Sequence, residues 1–323
     1  MEDGNVDCGA RAAPASPRRG DGSYAEGPHS RLRSTSTVVT NDGSIDSMEE
    51  IITNKPIKAW LTDMDGVLVH EDQAIPGAAD FIAALRETGT PFLVLTNNSI
   101  YTPRDLSWRL HNSGIEVPEA NIWTSAMATA SFLRSQTHRD EVCTAYVIGE
   151  AGLTTALHEA GVILTDRSPK YVVLGETRNY SFSQVTTAVR LIEAGSKFIL
   201  TNPDVSGPSE QGTLPAAGAV AAMLTEVTGM KPLAIGKPNS IMFRAGLNLI
   251  GAHSETTAMV GDNMQTDVLT GIEAGLETFM TLTGVSQEST PDKYAYAPDH
   301  IIDSVADLVP VVNRWAGASV AAA

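Results

Sequence analysis

Asp63 and Asp65 stand two residues apart directly after the apolar run 57–62. The run 91–95 leads into Thr96-Asn97-Asn98-Ser99, and the run 233–235 into Gly236-Lys237-Pro238. The run 256–260 leads into Gly261-Asp262-Asn263, with Asp267 further on. This set suits a metal ion beside a phosphate. Asp63 and Asp262 offer the hard oxygen ligands that Mg²⁺ prefers. Asp63 can also attack phosphorus in line and form an aspartyl-phosphate, a step eased when a metal lowers the repulsion between carboxylate and phosphate. In extended chain Asp65 falls on the same side as Asp63, where it can protonate a leaving oxygen and later take a proton from water. Thr96 and the backbone amide of Asn97 can donate to phosphoryl oxygens. Lys237 adds positive charge where such a transition state is most anionic.

Each motif alone is commoner as something plainer: a solvated acidic turn, a helix cap or a surface loop. The weight lies in four of them following apolar runs in turn. Strands are expected at 57–62, 91–95, 121–124, 145–148, 171–174, 197–200, 233–235, 256–260 and 277–282. Helices are expected at 77–88, 103–112, 125–134, 152–160, 181–194, 239–250 and 265–274. Repeated strand–helix units predict parallel sheets with right-handed crossovers, a doubly wound, Rossmann-like α/β fold. Ligands of such sheets bind beyond the carboxyl ends of the strands, where these motifs lie.

The 323 residues suggest two domains. A formal net charge of −16 argues against a broad nucleic-acid-binding face and means that a phosphate site needs its own local cation. The only cysteines, Cys8 and Cys143, have no metal-site spacing and fit a reducing, cytoplasmic setting. No run of 18 apolar residues is present to span a membrane. Residues 1–50 are polar, rich in Gly, Pro, Ser and charge, and are expected to be disordered, with Met48 a candidate natural start. His70 reads as a polar loop side chain rather than a base, His111, His158 and His253 lack partners at ligand spacing, and Cys143 reads as a small core residue.

The pieces DMDGVL (63–68), LTNNS (95–99), GKP (236–238) and VGDNMQTD (260–267) together resemble the haloacid dehalogenase superfamily. PGAADF (76–81), TSAMATASFL (124–133), VIGEAGL (147–153), VVLGETRNYSF (172–182), TNPD (201–204) and GLETFMTLTGV (275–285) are similar to its NagD-type branch. The resemblance implies a Mg²⁺-dependent phosphatase. Asp63 matches the nucleophile and a metal ligand, Asp65 the general acid/base with its backbone carbonyl on the metal, and Asp262 the remaining ligand. Thr96, Asn97 and Lys237 match the phosphate grip, and Asn263, Met264, Gln265 and Thr266 the stretch lining the phosphate. Asp267 matches an acid that steers Lys237 or a metal-bound water. The implied domains are a core at 51–136 and 233–315, an inserted α/β cap at 137–232, and a flexible 316–323. Asp204 and the segment 176–180 are positions where the cap could set specificity. The implied partner is a small phosphorylated metabolite, with nucleoside 5′-monophosphates such as UMP foremost. Phosphoglycolate, pyridoxal phosphate, aryl or sugar phosphates are the alternatives, and a non-catalytic phospho-ligand binder is a third reading. Association of copies through the cap, as a homo-oligomer, is a further expectation.

Overall fold

The computed structural model describes residues 38–39, 45–46, 53, 55–138, 140–207 and 212–321. In the unit Met1–Glu50, Val38–Val39 pairs antiparallel with Ile45–Asp46. The other expectations for that tail, Met48 included, lie outside the described residues.

The unit Ile51–Ala323 is built on two parallel sheets. The first has six strands in the spatial order His300–Ile302, Glu277–Thr281, Thr257–Gly261, Ala59–Asp63, Phe92–Thr96, Ile122–Thr124. The chain winds outward from Ala59–Asp63 in one direction and returns to wind outward in the other. The order therefore reverses between Ala59–Asp63 and Thr257–Gly261, the place where doubly wound sheets open a ligand crevice. Phe92–Thr96 is buried along its whole length, as a strand covered on both faces must be.

Alternate residues feed opposite faces. On one face Trp60, Val94, Val260 and Phe279 pack against Phe81, Leu85, Leu106, Leu110 and Val311. On the other, Leu61, Leu93, Leu95 and Met259 meet Met242, Phe243 and Leu133. That second cluster continues through Leu153, Leu157, Tyr171 and Ile199 into the second sheet, so the two sheets share apolar packing. Thr102 caps the helix Pro103–Asn112 and Asp105 reciprocates, a local device worth about 1 kcal/mol.

The second sheet has the order Leu233–Ala234, Lys197–Leu200, Tyr171–Leu174, Thr144–Ile148, Ile163–Leu164, all parallel. Helices Phe182–Glu193 and Ala217–Thr228 cover its far face. Two of the departures from the sequence-based expectations lie at the edge of the second sheet and at the C-terminal end. The run at 233–235, assigned above to the first domain, pairs with Ile199 and Leu200 at the edge of the second sheet. The helix Val309–Ala321 extends through most of the stretch expected to be flexible. Among the described residues no helix is long and apolar enough to cross a membrane.

Candidate active site

Register brings the strand-end motifs level. Thr62 pairs with Val260 and Asp63 with Leu95, so Asp262 and Thr96 each follow within two residues of positions paired to the end of the central strand. Gly66 makes the turn after the two aspartates with φ +81°, and a Cβ there would lie 2.5 Å from Asp262 Oδ2. Glycine is needed both for that backbone conformation and for the close approach.

Lys237 Nζ lies 2.7 Å from Asp63 Oδ1 and 2.8 Å from Asp267 Oδ1. The lysine side chain is only 3% exposed and that of Asp267 fully buried. Asp267 Oδ2 also accepts from the Asn263 N–H and the Thr266 hydroxyl, both at 3.3 Å. Residues 264–268, expected to begin an ordinary helix, form a wider π turn in which Val268 N–H reaches back to the Asn263 carbonyl at 3.2 Å. This turn precedes the helix Leu269–Ala274 and presents Asp267 to the lysine; π turns of this kind recur at functional sites. Asp262 Oδ2 accepts from the Val285 N–H at 2.8 Å, and Asp63 Oδ1 from the Met64 N–H at 2.7 Å.

The other residues expected here divide. Thr96 is buried, and its Oγ1 accepts from the Asn98 N–H at 3.1 Å. Asn97 turns its side chain toward the main chain of Lys237 and toward Asp204, with Asp204 Oδ2 accepting at 3.0 Å. Asn263 accepts from the Gln265 N–H at 2.8 Å, and Gln265 is exposed. The Met264 side chain leaves the site altogether and is buried with Val268 and Met280. Val285 and Ser99 were not among the expected site residues. Val285 belongs to the loop after Glu277–Thr281, and buried Ser99 accepts from the Glu176 N–H at 3.0 Å. Both lie in motifs quoted above, but only the fold shows what they touch.

Electrostatics mark the same place. Burial raises the Asp63 carboxyl well above its ordinary range; Lys237 pulls it down while Asp267 and Asp262 push it up. Asp262 is pushed up to about 6 by burial and then by Asp267. Burial alone would lower Lys237, but Asp267 and Asp63 outweigh it and hold the ammonium above its usual value. Asp65 is raised by desolvation although the residue is exposed, with Arg109 and Lys237 opposing.

The donor set fits a small divalent cation. Asp63, Asp262 and Asp267 can each place a carboxylate oxygen within 4.8 Å of the others. Both oxygens of Asp267 are engaged by donors, whereas Asp63 Oδ2 and Asp262 Oδ1 stand outside the bonds described above. Hard oxygens this close, in a cluster whose mutual repulsion helps raise Asp63 and Asp262, are what Mg²⁺ would relieve.

Glu176, whose N–H donates to Ser99 Oγ, is pushed up to about 7, by burial first and then by Asp204 and Asp65. A carboxyl raised on folding binds its proton more tightly in the folded state, so stability declines as pH rises from about 4.5 through 7. Below that window the residue is protonated in both states and contributes nothing. The Glu176→Gln variant is therefore expected to gain Tm relative to wild type as pH is raised from about 5 to about 8. Parallel Tm–pH profiles would show that Glu176 carries no such strain.

Residues 60–163 match the family described as haloacid dehalogenase-like hydrolase, and residues 234–308 one described as HAD-hydrolase-like. Over 250 residues the sequence is 57% identical to a dihydroxyacetone phosphatase of Corynebacterium glutamicum, covering 77% of this chain and 90% of that protein. It is 43% identical over 252 residues to the ribonucleotide monophosphatase NagD of Escherichia coli, covering 78% and 98%. The solved structure of NagD from Escherichia coli superposes with a TM-score of 0.73 at 43% identity, over 77% of this chain and 97% of that one. The match thus takes in nearly the whole of each relative, and the two family models span Asp63, Lys237 and Asp262.

Proposed function

The chain belongs to the haloacid dehalogenase-like hydrolases, and from that premise we propose that it is a Mg²⁺-dependent phosphatase that hydrolyses phosphomonoesters through an aspartyl-phosphate on Asp63. The observation that carries this reading is the meeting of Asp63, Asp262, Asp267 and Lys237 at one end of the first sheet, with Lys237 Nζ 2.7 Å from Asp63.

Asp63 attacks phosphorus and displaces the alcohol. Asp65 protonates the leaving oxygen, and the desolvation that raises its carboxyl favours the protonated form. It then takes a proton from the water that opens the acyl-phosphate. Lys237, the Thr96 hydroxyl and the backbone N–H of Asn97 stabilise the phosphoryl oxygens. Asp267 holds Lys237 in place. Asp63, Asp262 and the backbone carbonyl of Asp65 would hold Mg²⁺, which supplies charge neutralisation between carboxylate and phosphate when bound.

The substrate is a small, hydroxylated phosphomonoester. Glu176 and Asp65, near enough for the charge of one to raise the carboxyl of the other, disfavour a leaving group with its own negative charge. A triose phosphate such as dihydroxyacetone phosphate is favoured by the 57% identity to a phosphatase of that name. A nucleoside 5′-monophosphate such as UMP is favoured by the kinship to NagD. Both leaving groups are neutral and hydroxylated. The chain acts as a cytoplasmic enzyme on either.

In a panel of dihydroxyacetone phosphate, UMP and 2-phosphoglycolate, kcat/KM is expected to favour one of the first two over 2-phosphoglycolate by at least tenfold, about 1.4 kcal/mol. EDTA should abolish turnover and Mg²⁺ restore it. Preference for 2-phosphoglycolate would overturn the substrate reading; full activity in EDTA would overturn the metal.

A further inference from the structure

Lys237 is carried by the second sheet. Its edge strand Leu233–Ala234 continues past its end: Ile235 N–H donates to the Leu200 carbonyl at 2.9 Å and Gly236 N–H to the Thr201 carbonyl at 2.7 Å. The lysine that touches Asp63 thus comes directly off a ladder belonging to the other half of the molecule.

On the first sheet's side, Asn97 grips the same segment. Its Oδ1 accepts from the Lys237 N–H at 2.8 Å, and its Nδ2 donates to the Lys237 carbonyl at 3.1 Å and to Asp204 Oδ2 at 3.0 Å. The pattern sets the amide's orientation, because the reverse would oppose two donors and leave two acceptors facing an acceptor. Asn202 Nδ2 donates to the Asn97 carbonyl at 2.9 Å, and Asn202 Oδ1 accepts from the Asp204 N–H at 3.1 Å. A Cβ at Gly236 would lie 2.6 Å from both Asn97 Oδ1 and the Thr201 carbonyl, so only glycine permits this approach. The side-chain end of Lys237 is held by Asp63 and Asp267, its main chain by Asn97, and the preceding Gly236 by the Thr201 carbonyl.

The geometry points to Asn97 and Asp204 as positioning residues for Lys237: Asp204, from the second sheet's side, orients the Asn97 amide, and the amide sets the lysine's main chain. This rests on the phosphatase reading above, in which Lys237 stabilises the phosphoryl oxygens. It gives Asp204 a different task from choosing the leaving group. With Oδ2 given to Asn97, its acceptor capacity matters more than its charge. Setting Lys237 acts on the transferring phosphoryl group, common to every substrate, so its loss lowers kcat for all of them alike. A small displacement of such a group is costly; about 1 Å can cost 10²-fold.

The experiment compares Asn97→Ala, Asp204→Ala and Asp204→Asn in the full chain on dihydroxyacetone phosphate and UMP. Asn97→Ala and Asp204→Ala are expected to lower kcat by about tenfold or more on whichever substrates wild type turns over, with KM changed less than about threefold. Asp204→Asn keeps an acceptor for Asn97 and is expected to restore kcat to within about twofold of wild type. Wild-type kcat in Asp204→Ala would overturn the proposal. So would Asp204→Asn and Asp204→Ala shifting the substrate ratio alike, since that marks a charge that selects the substrate. If Asn97→Ala does not fold, the two Asp204 variants decide. Failure of the phosphatase reading looks different: Asp63→Asn would then retain turnover whatever happens at 97 and 204.

Discussion

Replacing Asp63 with Asn is expected to lower kcat by at least about four orders of magnitude, or roughly 5.5 kcal/mol of transition-state stabilisation, while the protein stays folded. The amide matches the carboxylate in size and can still accept from the Met64 N–H, which now reaches Asp63 Oδ1 at 2.7 Å. It cannot form an acyl-phosphate. The change also removes one of three clustered carboxylates and leaves Lys237 its bond to Asp267. Stability should therefore hold even as activity disappears. A second readout separates loss of the nucleophile from loss of binding. Beryllofluoride with Mg²⁺, a mimic of the acyl-phosphate, should raise the Tm of wild type and leave that of Asp63→Asn unchanged. Unaltered turnover in Asp63→Asn would end the assignment of the nucleophile.

The residues of this site were legible for a simple reason. In a parallel sheet covered on both faces, strands read as unbroken apolar runs, and the chemistry begins where each run stops. Asp63, Thr96 and Asp262 each sit at such a stop, and the ladder registers bring them level. Helix starts were also readable where a local device marks them, as Thr102, Pro103 and Asp105 do. What could not be read depends on partners distant in sequence. Leu233–Ala234 is too short to say which sheet it joins, and its partner lies more than thirty residues upstream. The helix Ala217–Thr228 was missed because its buried face is Ala217, Gly218 and Ala221 with Leu224 the one large apolar residue, which gives little apolar contrast, and it has no side-chain N-cap. The widening of the turn at Met264–Val268 has no sequence marker of its own, yet it sends Met264 into the core and Asp267 to the lysine. The Asn97 amide could equally have faced a phosphate; the Lys237 main chain 140 residues away claims it.

That buried lysine sets up the other large effect. Lys237→Met is expected to lower kcat/KM by about 10²–10³, because a fixed positive charge in a water-poor site is worth several kcal/mol to a phosphoryl-transfer transition state. It should also destabilise the Mg²⁺-free protein by about 3–5 kcal/mol, since removing one partner of a buried pair strands the other. For a chain of this size that is a fall in Tm on the order of 10 °C. The stranded group is Asp267, fully buried, left with two 3.3 Å hydrogen bonds and no cation at contact distance. Two roles of one ammonium can be told apart by removing both partners. Lys237→Met combined with Asp267→Asn leaves only Asp63 without its cation, and that side chain is 13% exposed and still accepts from the Met64 N–H, so stability should largely return while activity stays low. A Lys237→Met protein as stable as wild type would mean that water reaches Asp267 and the pair is not sequestered. A double variant that recovers turnover would mean that Lys237 only neutralises Asp267 and takes no part in holding the phosphoryl group.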